Sequence, residues 1–126
     1  MDDFQRSLTI VIGNNSSVEI IVSYGVLTGG SWATPPVPGS VIPPAGQQSY
    51  VNGVPDAFSA LGGQILLAPA NGGSISPIWS WPNGSGASGI VNTASVNGLS
   101  VAYQMINYQT NYPTQQVMIN DAPTFS

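Results

Sequence analysis

The chain has 126 residues, enough for one domain around a single sizeable core. Hydrophobic residues make up 42% of it and charged residues only 5%, leaving one cation, five carboxylates and a net charge of −4, where about a quarter of residues is ordinarily charged. Binding to nucleic acid, or electrostatic attachment to anionic lipid, needs clustered Lys and Arg and is excluded. With no Cys and no His, there is no disulfide framework, no thiol chemistry and little to hold a transition metal.

The first residues, Met1-Asp2-Asp3-Phe4-Gln5-Arg6, are acidic where a cleaved export signal is basic, so no such signal is expected. Period-two alternation then dominates, punctuated by Gly, Asn, Pro and Ser. Leu8, Ile10 and Ile12 share one face of a first strand, and Val18, Ile20, Val22 and Tyr24 one face of a second. The turn residues Gly13-Asn14-Asn15-Ser16-Ser17 predict a hairpin between them. Five prolines across residues 35–44 predict a loop or an edge crossover.

Residues 47–51 read as a short strand closed by Asn52-Gly53, and residues 57–68 as a strand broken around Gly62-Gly63. A strand over 74–81 puts Ile75, Pro77, Trp79 and Trp81 on one face. A loop of small residues at 82–89 follows, then a strand at 90–93, an Asn97-Gly98 hairpin turn, a strand at 99–109, a turn at Asn111-Tyr112-Pro113 and a last strand at 115–120. Short strands at this spacing predict an all-β fold, a single-domain antiparallel β-sandwich over residues 1–126. No stretch approaches the roughly 20 apolar residues of a transmembrane helix.

Catalysis is not expected. Acid–base work needs a His or a perturbed carboxylate pair, and a serine nucleophile needs a base beside it. Between Glu19 and Asp121 the one carboxylate is Asp56, in a turn context where Asp bonds its own backbone. No metal or other cofactor is implied.

The aromatic residues are what remains with chemical individuality, since Trp and Tyr combine an apolar body with a polar tip and suit sugar faces and membrane interfaces. Trp32 and Trp81 stand near loops and are read as recognition residues; Trp79, inside its strand, is either a core filler or a contact residue. Tyr103 is expected in the core with Leu99 and Val101, and Tyr108 and Tyr112 at the surface. Exposed rings set in neutral polar loops suit an uncharged or zwitterionic target.

Several segments together resemble the aegerolysins. They are Leu8-Thr9-Ile10-Val11-Ile12 with Asn14, Gly29-Gly30-Ser31-Trp32-Ala33-Thr34-Pro35, Gly62-Gly63-Gln64-Ile65, Trp79-Ser80-Trp81-Pro82-Asn83-Gly84-Ser85 and Val101-Ala102-Tyr103, spanning about residues 7–120. The likeness is strongest to the small component of bacterial two-component insecticidal crystal proteins. It implies a β-sandwich that recognises membrane lipid or a cell-surface receptor and cooperates with a larger pore-forming partner protein. Relatives of that kind collect inside the producing cell, as a crystal or inclusion, and act extracellularly at target membranes after release.

Carried over by position, Trp32, Trp79, Trp81 and Asn83 become contact residues, joined on the loop argument by Tyr108 and Tyr112. The sequence departs from fungal members in lacking Cys and charge across residues 79–85. Two other readings stay open: a lectin-like glycan binder, and a self-assembling coat or fibre protein whose low charge permits homo-oligomers.

Overall fold

Period-two patterning becomes strand wherever one parity can be buried. The computed structural model describes residues 5–56, 59–82, 86–108 and 110–122, and among these the regular elements are all strands: β1 (Arg6–Asn15), β2 (Ile20–Gly29), β3 (Ser31–Thr34), β4 (Val41–Ile42), β5 (Gln47–Val54), β6 (Leu61–Pro69), β7 (Ser74–Trp81), β8 (Ser88–Ala94), β9 (Leu99–Ile106) and β10 (Thr114–Asp121). They form two five-stranded sheets, ordered β3-β5-β1-β10-β9 and β4-β2-β6-β7-β8. Pairing is antiparallel except between β1 and β10, which run parallel at the centre of the first sheet.

The core is the seam between the two inner faces. Leu8, Ile10 and Ile12 are fully buried, as the alternation predicts, with Val117 and Ile119 beside them and Ile20, Val22, Ile65, Leu67 and Ile75 from the second sheet. The β-sandwich expected from the sequence is therefore the observed fold.

Three expected turns are something else. β1 and β2 belong to different sheets, so residues 13–17 form an arch across the seam and not a hairpin. Buried Asn14 holds that arch: its Nδ2 donates to the carbonyls of Val18 at 2.8 Å and Ile42 at 2.9 Å, while its Oδ1 accepts from Ser16 Oγ at 2.6 Å. Asn97-Gly98 likewise carries the chain from β8 in one sheet to β9 in the other. Asn52-Gly53 lies inside β5 and closes nothing.

Gly62-Gly63 also lies inside a continuous β6. A Cβ on Gly63 would stand 2.6 Å from Trp79 Cζ2 and 2.8 Å from the Val26 carbonyl oxygen, so this glycine is a bed for an indole and not a breaker. Gly30, at φ +79°, makes the left-handed step by which the chain leaves β2 in one sheet for β3 in the other.

Two residues leave their expected places. A register shift between Val22 and Tyr24 inserts Ser23 as an extra residue and reverses the parity of β2 beyond it. Ile20 and Val22 face inward, but Tyr24 and Val26 face out. Tyr103 does point to the core side, opposite Val117, yet is 46% exposed because β9 is the last strand of its sheet.

Candidate functional site

Two of the three indoles expected to make contacts are sealed. Trp79 is 2% exposed and Trp81 5% exposed, so neither touches anything outside the sandwich as it stands. Trp79 donates from Nε1 to Asn52 Oδ1 at 3.0 Å, and half-buried Trp32 packs edge-on against it with ring centroids 5.9 Å apart. Asn52 is itself fully buried: its Oδ1 also accepts from the Gly62 amide at 3.2 Å, and its Nδ2 donates to the carbonyls of Gly29 and Ser31. These contacts tie β5 to β6, β7 and the β2–β3 crossing. The indoles serve the scaffold because polar partners wait for them inside.

Trp81 is covered by the cation. The Arg6 guanidinium carbon lies 3.8 Å from the Trp81 ring centroid, and Arg6 Nη1 donates to the Ser59 carbonyl at 3.0 Å. Burial lowers the affinity of this guanidinium for its proton, and nearby Asp56 partly restores it. The one cation of the chain is thus folded onto Trp81 and not offered to a ligand.

Strand directions gather several predicted contact residues at that same end. The C-terminus of β7 and the β9–β10 connection meet there, with Gly86 about 3.8 Å from the Tyr108 ring, measured from where its Cβ would stand. Tyr108 and Tyr112 are both exposed, as the sequence reading expects. Their loop is held by Thr110, whose Oγ1 donates to the Asn107 carbonyl at 2.8 Å and accepts from the Tyr112 amide at 3.1 Å. Trp32, packed on Trp79, lies on β3, at the opposite edge of its sheet from β9, and Asn83 lies outside the described residues.

A further feature was not picked out from the sequence: the outer face of the second sheet. Its five strands contain no charged residue. Val26, Gln64, Ile78 and Ile90 form one row across β2, β6, β7 and β8. Tyr24 stands opposite Leu66, and Val41 and Ala68 flank Ile21. Tyr24, Val26, Val41 and Ile90 are exposed and Ile21, Leu66 and Ile78 half-buried. The signal that could have found it is the double parity of these strands: Ile20-Ile21 and Leu66-Leu67 put apolar groups on both faces, a pattern of strands covered on both sides.

Among the described residues no cluster of His, Cys, Asp or Glu could hold a metal, and no helix is long and apolar enough to cross a membrane. What the site can do chemically is exclude water from an uncharged apolar surface.

No protein-family model matches the sequence, and neither does any curated protein. Solved structures do match in fold. The lipid binding protein Nakanori superposes with a TM-score of 0.75 at 9% identity, over 93% of this chain and 72% of that one. IP-1A from Alcaligenes faecalis superposes with a TM-score of 0.74 at 14% identity, over 97% of this chain and 95% of that one. The chain therefore has the aegerolysin-like sandwich fold that its segments resemble.

Proposed function

We propose that the protein is a toxin-type membrane-binding module that docks on uncharged or zwitterionic lipid through the outer face of the β4-β2-β6-β7-β8 sheet. One observation carries this: five strands free of charge present Tyr24, Val26, Val41 and Ile90 exposed among the described residues. An apolar face of this breadth on a soluble chain marks an interaction surface. Its occupant is neutral because the net charge is −4 and the described cation, Arg6, is buried over Trp81, so anionic headgroups gain nothing. The fold it shares with a lipid binding protein supports the same reading.

The finer assignment follows the family resemblance. The module acts by binding and not by catalysis, as the small component of a two-component pore-forming insecticidal or cytolytic system. A larger pore-forming protein is its partner, and it is released from the producing cell to meet the target membrane. A second reading, glycan binding, is favoured by the exposed Tyr108 and Tyr112 rings on their hydrogen-bonded loop.

Co-sedimentation with phosphatidylcholine vesicles separates the two. Wild type is expected to pellet equally at low and high salt. The triple variant Val26→Thr, Val41→Thr, Ile90→Thr keeps β-branched residues at exposed positions and should bind about 100-fold more weakly, at roughly 1 kcal/mol lost per half-buried side chain. Undiminished binding by that variant, with loss in Tyr108→Ser/Tyr112→Ser, would reject the sheet face as the docking surface. Sugar competition of the wild type would favour the glycan reading.

A further inference from the structure

The two sheets end in four edge strands, and three of them carry a feature that discourages pairing. β3 has four residues and an irregular register, β4 has two residues followed by Pro43 and Pro44, and β8, though continuous, carries Gly89 as its second residue. Short strands, prolines, glycines, bulges and lysines are the usual means of blunting an edge. β9 has none of them: Leu99-Ser-Val-Ala-Tyr-Gln-Met-Ile106 runs eight residues in unbroken register with β10. Among the described residues no strand pairs with its other side, which carries a row of backbone donors and acceptors.

Side chains along β9 point the same way. Leu99, Val101, Tyr103 and Met105 form a complete core-facing stripe, and three of them pack on the core. Tyr103 remains nearly half exposed at the middle of the strand. Beside it a depression of about 160 Å³ is lined by Ala102, Tyr103, Gln104, Gln116 and Met118. The edge carries no charge of either sign, so nothing repels an identical edge.

We infer that β9 is a self-association edge, pairing antiparallel with β9 of a second copy about a two-fold axis at Tyr103. A second copy fits this edge because eight uncharged residues in regular register can pair antiparallel with their own sequence without setting like charges opposite one another. In that register Tyr103 meets its own copy as a cross-strand aromatic pair, and Ala102 faces Gln104 of the partner subunit. The pairing extends the first sheet from five strands to ten and leaves the apolar outer face of the second sheet free, so it does not depend on the proposed lipid contact.

Sedimentation velocity of the full chain over a concentration series tests this. Wild type should pass from monomer to dimer as concentration rises. Ala102→Lys/Gln104→Lys puts like charges opposite one another at exposed positions and should weaken the dimer at least tenfold; Ala102→Glu/Gln104→Glu should do the same. An equimolar mixture of the two should recover the dimer, which a folding defect in either would not allow. The chain has no Cys, so Tyr103→Cys should form a single disulfide-linked dimer on oxidation. A wild type that stays monomeric throughout, a Lys variant that dimerises as strongly as wild type, or a mixture that fails to recover would each overturn the inference.

Discussion

Asn52 shows how one side chain can organise the seam of a sandwich. It serves two donors, Trp79 Nε1 and the Gly62 amide, and two acceptors, the carbonyls of Gly29 and Ser31. Asn52→Ala strands the two donors inside the protein and frees the two part-buried carbonyls, and each unmet buried group costs on the order of 1–3 kcal/mol before relaxation. A loss of roughly 3–5 kcal/mol in denaturant unfolding is the expected outcome. Tyr50 is the opposite case, since its hydroxyl is buried without a hydrogen-bond partner and burial raises its pKa above the ordinary 10. The folded state therefore favours the neutral phenol. Its contribution is fully present below pH ~10 and is lost as pH climbs from there through the raised folded value. Tyr50→Phe should leave stability at neutral pH unchanged or higher by up to ~1 kcal/mol and extend the alkaline limit of folding, both readable from thermal unfolding across pH.

At the scale of elements, the strands themselves were legible from period-two patterning, since Leu8, Ile10 and Ile12, and Ile75, Pro77, Trp79 and Trp81, are buried as alternation requires. Partner choice was not. Gly13-Asn14-Asn15-Ser16-Ser17 has the chemistry of a hairpin turn, but what decides between hairpin and arch is the distant Ile42 carbonyl that accepts from Asn14. The bulge at Ser23 was equally invisible, and with it the outward turn of Tyr24 and Val26 that helps create the apolar face. The tyrosine half of the expected site is at the surface, whereas the indoles of Trp79 and Trp81 are not, because their partners Asn52 and Arg6 lie far off in sequence. Gly63 is a strand residue kept small by Trp79. Gly63→Ala should lower stability by about 1–3 kcal/mol through overpacking, while a methyl at open Gly98 meets no neighbour within 4 Å and is strained only by its φ of +69°.

Across the whole molecule, charge is scarce and displaced from the apolar sheet. Arg6 is folded onto Trp81, and Asp121 receives the Ser17 amide and hydroxyl at the far end of β10. The second sheet faces outward without charge and with Tyr24, Val26, Val41 and Ile90 exposed on it, so the membrane attachment proposed for it would act by water exclusion and be insensitive to salt. The most direct test uses the absence of cysteine in the chain. An environment-sensitive fluorophore on Val26→Cys, exposed on the apolar face, is compared with one on Ser49→Cys, exposed on the opposite sheet. With phosphatidylcholine vesicles the Val26 probe is expected to shift to the blue and the Ser49 probe to stay unchanged. A Val26 probe that still reports water while the protein is vesicle-bound would contradict the account.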